Sequence, residues 1–390
     1  MSRPIAIYTS YNVRYPLGGH VLAELHYIVG LKRLGYDVIV VEESGADWAP
    51  CFDPVRREMT RDPQSGIAQL VRVLQPFGLD KSWCYVDSDR QYHGLTARQL
   101  RDACRQATLL FSRGGVNWLE EFADCPVKVF VDIDPGITQL KMSDKPSPCS
   151  SGYASPHVFD FRFTIGERLG RPDCPIPLRG LAWLHTRHPV ALELLPVRHT
   201  PEAKFFTTIM SWSSRPPLVH NGIAYGQKDV EFMKLLDLPQ RVGPILEVAI
   251  SGPAPRNQLL AAGWRVTSAG ATTTTVAAYT DYLGGSRGEF SVAKNAYVQS
   301  RCGWFSDRTA GYLALGKPAV VQETGFSEFI PTGEGLFAFT TVEEAADALR
   351  QVNADYARHG RAARRIAEEQ LDSDKVLGDL LRRCGLPVKC

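Results

Sequence analysis

Short apolar segments along the chain alternate with segments of helical periodicity. Residues 5–8 (IAIY) and 38–41 (VIVV) are apolar runs of the length found in buried strands. Between them, residues 21, 25, 28, 29 and 31 are apolar at helical spacing, and this pattern ends at Gly35. A strand, a helix and a second strand in this order predict a parallel sheet covered by helices.

The same alternation runs through the first half of the chain and restarts in the second half. Further strands are predicted at residues 109–111, 127–131, 161–165, 205–210, 245–250, 264–266 and 319–322. A proline-rich passage at 170–201 separates the two sets. We therefore predict an α/β protein with two Rossmann-like domains of doubly wound parallel sheet, at residues 1–198 and 199–372. Two such domains place a ligand in the cleft between them, at the carboxyl ends of the strands.

Length, charge and cysteine content narrow the class of protein. The 390 residues fit two domains of about 150–200 residues each. The formal net charge is only +2, so we expect no nucleic-acid partner, and any anion site must be local. No window approaches about 18 consecutive apolar residues, so no membrane span is predicted. The nine cysteines include no Cys-x-x-Cys pair, which predicts reduced thiols and a cytoplasmic protein.

The stretch GWFSDRTAGYLALGKP, residues 303–318, has the features of a helix N-terminus that binds an anion. Ser306 and Asp307 are good N-cap residues, and the amides that follow them are unpaired donors at the positive end of the helix. Arg308 and Thr309 lie beside these amides, which favours a phosphate ligand. The alternative interpretation is an ordinary capped helix with nothing bound.

The segment LGKPAVVQETGFSEFIPTGEGLFAF, residues 315–339, resembles the carboxyl-terminal signature of the GT-B-fold nucleotide-sugar glycosyltransferases. The large retaining branch, which includes the glycogen-synthase-like enzymes, has a small-residue helix followed by four features in a fixed order. The four features are Gly-x-Pro, a buried strand, Gly-x-x-Glu and Gly-x-Gly-Leu, matched here by Gly316-Lys-Pro318, residues 319–322, Gly325-Phe-Ser-Glu328 and Gly333-Glu-Gly-Leu336. Residues 7–41 resemble the first strand, Gly-Gly loop and long helix of the same enzymes.

The resemblance implies the GT-B architecture, with residues 373–390 as a C-terminal helix that packs back towards the first domain. One departure concerns two glutamates, eight positions apart, that the retaining enzymes share. Gly303 and Gly311 stand near those places here. Asp307 is the nearest acid, and we expect it to take a substitute role towards ribose or sugar hydroxyls. The wider segment at 288–318 is similar to an actinobacterial group of these enzymes, some of them in natural-product pathways.

The resemblance also implies which residues hold the donor diphosphate. Related enzymes place an arginine and a lysine just after the first strand of the second domain, where Arg215 and Lys228 stand here. Lys294 is a rival cation, and solvated loop charges are the alternative for all three. Two phosphates in a cleft must be neutralised as the leaving group forms. The predicted donor site comprises Arg215, Lys228, Lys294, Ser306, Asp307, Arg308, Thr309, Thr324, Gly325 and Glu328.

Two turns of the first domain are predicted to face the acceptor. Gly18 and Gly19 follow the first strand, and glycines let a backbone approach a substrate closely. His20 is next to them and is a candidate to accept a proton from an acceptor hydroxyl. Arg113, in the turn after the strand at 109–111, is a candidate for holding the acceptor or a phosphate. The alternatives are a helix-start histidine and a structural glycine turn.

Three acids also follow strands of the first domain. Asp132 and Asp134 form an Asp-x-Asp triplet, and Glu167 follows the strand at 161–165. Asp-x-Asp chelates Mg²⁺ or Mn²⁺ in the GT-A fold, but enzymes of that fold do not repeat the two-domain alternation found here. We therefore predict no metal and no cofactor, with Asp134 as a catalytic residue and Asp132 and Glu167 as acceptor-binding residues.

These observations together predict a glycosyltransferase that moves a sugar from a nucleoside diphosphate, UDP or GDP, to a small-molecule acceptor. His20 and Asp134 are its predicted catalytic residues. By the resemblance the reaction retains the anomeric configuration, needs no metal and belongs to bacterial secondary metabolism. An epimerase or phosphorylase on the same scaffold is an alternative, since fold does not fix the reaction. A non-catalytic sugar-nucleotide-binding protein is another, because the paired glutamates are missing.

Overall fold

The computed structural model describes residues 3–9, 11–45, 50–142, 149–150 and 153–389. Within these residues the chain forms two α/β units, each built on a mainly parallel sheet. Both faces of the first sheet are buried, because Ala6 and Tyr8 pack in one apolar cluster and Ile7 in another. Apolar side chains on both faces are what a parallel sheet covered by helices requires. The predicted α/β class is confirmed.

The strands of the first half form a sheet of eight strands among the described residues, together with short hairpins. The order across the sheet is β12-β11-β8-β7-β1-β2-β5-β6, parallel throughout except that β6 is antiparallel to β5. In chain order the strands are β1 (Ile5–Thr9), β2 (Asp37–Glu43), β3 (Cys51–Asp53), β4 (Glu58–Thr60), β5 (Trp83–Val86), β6 (Tyr92–Gly94), β7 (Leu109–Arg113), β8 (Lys128–Asp132), β9 (Cys149–Ser150), β10 (Tyr153–Ala154), β11 (Phe161–Thr164) and β12 (Leu184–His185).

The strands of the second half form a parallel sheet in the order β17-β16-β13-β18-β19-β20, with a separate hairpin of β14 and β15. The strands are β13 (Phe206–Ser211), β14 (Leu218–His220), β15 (Ile223–Tyr225), β16 (Leu246–Ser251), β17 (Arg265–Ser268), β18 (Gly288–Ser291), β19 (Ala319–Gln322) and β20 (Leu336–Phe339). When the parallel strands of each sheet are numbered in chain order, both sheets contain the Rossmann order 3-2-1-4-5-6. The switch points, where the order reverses, lie between β1 and β7 and between β13 and β18.

Helices cover both sheets. They are α1 (Gly18–Arg33), α2 (Gln64–Leu74), α3 (Ala97–Gln106), α4 (Ile137–Lys141), α5 (Lys228–Phe232), α6 (Leu238–Val242), α7 (Arg256–Ala261), α8 (Ala269–Thr272), α9 (Val276–Gly284), α10 (Asn295–Ser300), α11 (Asp307–Ala314), α12 (Val342–Ala354), α13 (Tyr356–Ile366) and α14 (Ser373–Arg383). No helix in the described part of the chain is both long enough and apolar enough to cross a bilayer.

Two strands that have a neighbour on each side, β5 and β18, were not predicted from the sequence. Trp83–Val86 (WCYV) has no alternation, and Gly288–Ser291 (GEFS) has a single large apolar residue. Strand β18 is nevertheless buried along its whole length, because β13 and β19 flank it on both sides. Its burial therefore comes from its neighbours in the sheet, which a local pattern does not reveal.

The C-terminal helix α14 packs on the first domain, as the resemblance implied. Leu377, Leu380 and Leu381 are buried in the same apolar cluster as Ala6 and Tyr8 of β1. Helix α1 approaches it so closely that a Cβ atom added to Gly30 would lie 2.6 Å from Leu377 Cδ1. The chain thus ends on the domain in which it began.

The carboxyl ends of the two sheets face each other. The amide of Gly18, at the start of α1, donates a hydrogen bond of 2.7 Å to the carbonyl of Thr273 in the second half. Helix α1 also packs along α9. Residues 186–205 join β12 to β13, and the predicted domain boundary at 198 lies inside this segment.

We expect Leu377→Ala to lower the free energy of unfolding by about 2–5 kcal/mol, because it leaves a cavity between α14 and α1. The measurement is a urea titration followed by circular dichroism. Asp379→Ala is the matched control on the same helix, where the side chain is exposed. Equal unfolding midpoints for both variants would show that α14 does not stabilise the first domain.

Candidate functional site

The crevice at the switch point of the second sheet is occupied by the guanidinium of Arg308. Its Nε donates to Glu289 Oε1 on β18 at 2.8 Å, and its Nη1 donates to the carbonyl of Ile209 on β13 at 2.7 Å. Arg308 Nη2 is buried without a hydrogen-bond partner among the described residues. Glu289 of β18 and the Ile209 carbonyl of β13 therefore hold Arg308 against the sheet, and Nη2 is the part of its guanidinium without a partner among the described residues.

Helix α11 begins directly above this crevice, as predicted from the Ser-Asp-Arg-Thr turn. Ser306 is the N-cap, and its Oγ accepts a hydrogen bond of 3.2 Å from the Arg308 amide. Asp307 Oδ1 accepts from the same amide at 2.9 Å, and Thr309 is buried. The predicted capped helix is confirmed, whereas a phosphate on it stays a prediction.

Arg215, Lys228, Lys294 and Arg308 form what we name the cation cluster. Burial, then the charge of Arg308 and then that of Lys294, lower the pKa of Lys228 well below the usual lysine value. In the described part of the chain the Lys228 ammonium has no ion-pair or hydrogen-bond partner. Arg215 Nε is likewise buried without a hydrogen-bond partner among the described residues. Repulsion among poorly solvated cations makes this place favourable for an anion.

The first domain contributes a buried charged network at its own switch point. Arg113, at the end of β7, donates from Nη1 to Glu24 Oε1 at 2.6 Å, and Tyr8 donates a short hydrogen bond to Glu24 Oε2. Arg113 Nη2 reaches Asp307 Oδ2 at 3.4 Å across the cleft. Arg113 thus joins the first sheet to the start of α11. Glu24 was not predicted, although its helical spacing of four residues from His20 is visible in the sequence.

His20 lies between this network and an aromatic ring. Its imidazole stacks on Tyr11 with ring centroids 4.4 Å apart, and Nε2 is 3.6 Å from Glu24 Oε1. Burial lowers the pKa of His20 below the usual histidine value, which keeps the ring neutral. Nε2 is buried without a hydrogen-bond partner among the described residues. A neutral imidazole with an unpaired nitrogen has the chemistry of a proton acceptor.

Gly18 and Gly19 approach the second domain rather than open space. A Cβ atom added to Gly18 would lie 2.0 Å from the carbonyl oxygen of Thr275, and one added to Gly19 would lie 2.7 Å from the ring of Tyr279. The close approach that the two glycines allow is therefore made by α9 and the turn before it. Their acceptor-binding role stays a prediction.

The two acids of the Asp-x-Asp triplet lie in different environments. Asp132 is buried, and its two oxygens accept hydrogen bonds from Thr138, Gln139, Thr164 and the Asp134 amide. This arrangement fixes the turn after β8 and leaves no carboxylate oxygen of Asp132 facing the cleft. Asp134 instead crosses the cleft, where Lys294 Nζ donates to its Oδ1 at 2.8 Å. No group of His, Cys, Asp and Glu suited to a metal ion occurs among the described residues.

Glu167 and Glu328 lie in a second interdomain cluster around two arginines. Arg187 Nε donates to Glu167 Oε1 at 2.7 Å, and Arg168 forms an ion pair with Glu328. Arg168, which was not predicted, lies against two glycines of the second domain. A Cβ atom added to Gly303 would lie 2.7 Å from the Arg168 amide, and one added to Gly325 would lie 2.2 Å from Arg168 Cδ. The first domain therefore occupies the space beside Gly303, and this leaves no room for the glutamate expected near that position from the resemblance.

Thr324 joins the loop after β19 to the segment before α11. Its hydroxyl donates a short hydrogen bond to the Trp304 carbonyl, and its own carbonyl accepts from the Gly303 amide at 2.8 Å. The Trp304 ring in turn stacks on Tyr297, with ring centroids 4.5 Å apart. These contacts place Thr324 and Gly325 on the same face of the cleft as the start of α11.

A small cavity of ≈ 10 Å³ lies within the second domain, between Trp304, Ser306 and Gln322 at the start of α11. A larger cavity of ≈ 740 Å³, lined by Val29, Gly35 and the Pro387–Lys389 end of the chain, lies at the opposite, amino-terminal edge of the first sheet.

Comparisons with known proteins identify the fold. HepE from Anabaena, solved with UDP and glucose, has a TM-score of 0.54 at 13% identity, over 98% of this chain and 100% of that one. AviGT4, a glycosyltransferase involved in avilamycin A biosynthesis, has a TM-score of 0.53 at 12% identity, over 97% and 96%. Sucrose-phosphate synthase from Thermosynechococcus elongatus has a TM-score of 0.52 at 11% identity, over 98% and 99%. The chain has the two-domain fold of these GT-B glycosyltransferases.

No family model matches the chain, and no curated protein matches it significantly. The structural neighbours therefore identify the architecture, while the roles of individual residues depend on the geometry described above.

Two buried histidines behind the site make the fold sensitive to acid. Burial lowers the pKa of His26 to about 3 and that of His188 to about 4, with Asp307 and Arg113 as the charges beside them. The unfolded chain binds protons on both rings below about pH 6.5, whereas the folded chain does not. The contribution of these two histidines to the free energy of unfolding is therefore complete above about pH 6.5 and is lost as the pH falls towards their folded pKa values.

We expect His188→Gln to weaken this acid sensitivity. The free energy of unfolding should fall less in the variant than in the unmodified protein when the pH is lowered from about 6.5 to about 5. The difference should be about 2 kcal/mol, since one fewer proton is taken up on unfolding. Urea titrations at the two pH values measure the difference. His220→Gln, at a half-buried ring on the β14–β15 hairpin, serves as the control. Equal pH dependence in all three proteins would contradict the assignment.

Proposed function

We propose that this protein is a glycosyltransferase that takes a sugar from a nucleoside diphosphate and transfers it to a small-molecule acceptor. The observation that carries the proposal is the cation cluster at the switch point of the second sheet, in which Lys228 and Nη2 of Arg308 have no partner among the described residues. A Rossmann-type sheet binds its ligand at this edge. A diphosphate supplies the negative charge that the cluster lacks.

The helix N-terminus strengthens this assignment. The start of α11 lies above Arg308, and its amides and positive dipole end favour the same anion. HepE, which has the same fold, was solved with UDP and glucose, and this supports a nucleotide-sugar donor. In our proposal the diphosphate lies between α11 and Lys228, and the sugar points towards Thr324, Gly325 and Glu328.

The first domain then holds the acceptor. His20 offers a neutral imidazole nitrogen, and Asp134 offers a carboxylate, both on the first-domain side of the cleft. In this scheme either group takes the proton of the acceptor hydroxyl as that oxygen attacks the anomeric carbon, on the face from which the phosphate leaves, as retention requires. The bond from that carbon to the phosphate oxygen breaks, and the electron pair leaves with the nucleoside diphosphate. Lys228 and the α11 amides stabilise the charge that develops on the leaving oxygen.

Closure of the domains has a chemical purpose in this scheme. Water that reached the anomeric carbon would hydrolyse the donor, so the site must close before transfer. The pairing of Asp134 with Lys294 and of Arg113 with Asp307 across the cleft gives the two domains contacts that favour closure. The motif order around Gly316-Lys-Pro318 and Glu328 supports retention of the anomeric configuration.

Lys228→Ala tests the donor site. We expect UDP or GDP, whichever binds more tightly, to lose about 10- to 100-fold in affinity, because one charge-assisted hydrogen bond to a phosphate disappears. Isothermal titration calorimetry measures the change. Arg308→Ala is a poorer test, since it would leave Glu289 buried without its partner.

Lys204→Ala is the matched control. Lys204 is exposed just before β13, at the opposite end of the strand from the cation cluster. We expect unchanged affinity for this variant. If neither nucleotide binds the unmodified protein, or if Lys228→Ala binds as tightly as Lys204→Ala, the donor site is wrong.

A further inference from the structure

Lys294 is bound by two residues that come from opposite sides of the cleft. Its Nζ donates to Asp134 Oδ1 of the first domain at 2.8 Å and to the Tyr297 hydroxyl of the second domain at 3.1 Å. The Tyr297 hydroxyl also donates a short hydrogen bond to Asp134 Oδ1. The three side chains form a closed triangle, and Asp134 is its only anion.

Packing within the second domain restrains the Tyr297 side chain. Its side chain is buried, and its ring stacks on Trp304 at an interplanar angle of 21°. The hydroxyl therefore has little freedom to move away from Asp134. The Asp134 side chain is itself 39% exposed and belongs to the turn after β8, so it is the part of the triangle that leaves when the domains separate.

Lys294 belongs at the same time to the cation cluster. Its charge contributes to the lowered pKa of Lys228, so the two ammonium groups are close enough to repel each other. The Lys294 ammonium and the Arg215 guanidinium both lower the pKa of Asp134, although burial opposes this shift. A carboxylate of the first domain thus lies among the side chains of the cation cluster.

We propose that Asp134 occupies Lys294 in place of a donor phosphate, so that a nucleoside diphosphate must displace this carboxylate in order to bind. The inference rests on the proposed function and adds a competitor inside the same site. Lys294 exchanges one oxygen anion for another when the donor enters. The exchange releases the Asp134 carboxylate for a hydroxyl of the acceptor, which couples the two binding events.

The competitor has a measurable cost in affinity. A ligand that binds only when Asp134 is displaced has an apparent affinity reduced by the fraction of molecules in the displaced state. Removing the negative charge of Asp134 should therefore make nucleotide binding tighter. Loss of a residue that contacted the nucleotide would have the opposite sign.

Asp134→Asn, titrated with UDP and with GDP in a calorimeter, tests the exchange. We expect the nucleotide that binds the unmodified protein to bind about tenfold more tightly, because asparagine keeps the size of the side chain and loses its charge. In a Lys294→Met background the same substitution should produce no gain, since the competition passes through Lys294. An equal gain in both backgrounds would show a general charge effect and overturn the proposal.

Arg187→Gln controls for simple opening of the cleft. Arg187 bridges Glu167 and the carbonyl of Phe329 at 2.9 Å, so its loss loosens the domain contact at a distance from Lys294. We expect any gain in its nucleotide affinity to be clearly smaller than that of Asp134→Asn, because the Asp134 carboxylate is still present to compete for Lys294. A gain as large as that of Asp134→Asn would overturn the exchange, and so would unchanged or weaker binding by Asp134→Asn itself. If no nucleotide binds any of these proteins, the proposed function falls as well.

Discussion

The structure depends on positive charge that the second domain cannot neutralise by itself. Glu289 pairs with Arg308 beneath the start of α11, but Lys228 and one edge of Arg308 are left without a partner among the described residues. In the closed molecule Asp134 of the first domain lies beside these cations and pairs with Lys294. The contact between the domains is therefore electrostatic at the site itself, and in our proposal a diphosphate and this carboxylate compete for the same cations.

Arg168 of the first domain holds two loops of the second domain in place. Gly303 and Gly325 have φ angles of 81° and 96°, a region that favours glycine, and both lack the Cβ that would collide with Arg168. Arg168 then pairs with Glu328, so two loops of the predicted donor site are held by a residue of the first domain. A glutamate near position 303 has no room in this closed arrangement.

Much of the fold was predictable because local signals agree with it. The apolar runs of β1, β2, β13 and β19 and the Ser306 cap of α11 are visible in the sequence. Strand β18 was not, because its burial comes from flanking strands rather than from its own side chains. Within the site, Arg215 and Lys228 were predicted from the resemblance, and Lys294 was predicted as a rival cation. Glu289, Tyr297 and Arg168 were missed, because their roles depend on contacts between distant parts of the chain.

A crystal structure of the protein grown with UDP, or with GDP if that nucleotide binds more tightly, tests the central claim most directly. The account predicts a diphosphate between the start of α11 and Lys228, with Lys294 within hydrogen-bond distance of a phosphate oxygen and Asp134 no longer paired with it. A nucleotide bound elsewhere, such as in the cavity beside Gly35, or a diphosphate that leaves the Asp134–Lys294 pair intact, would contradict it.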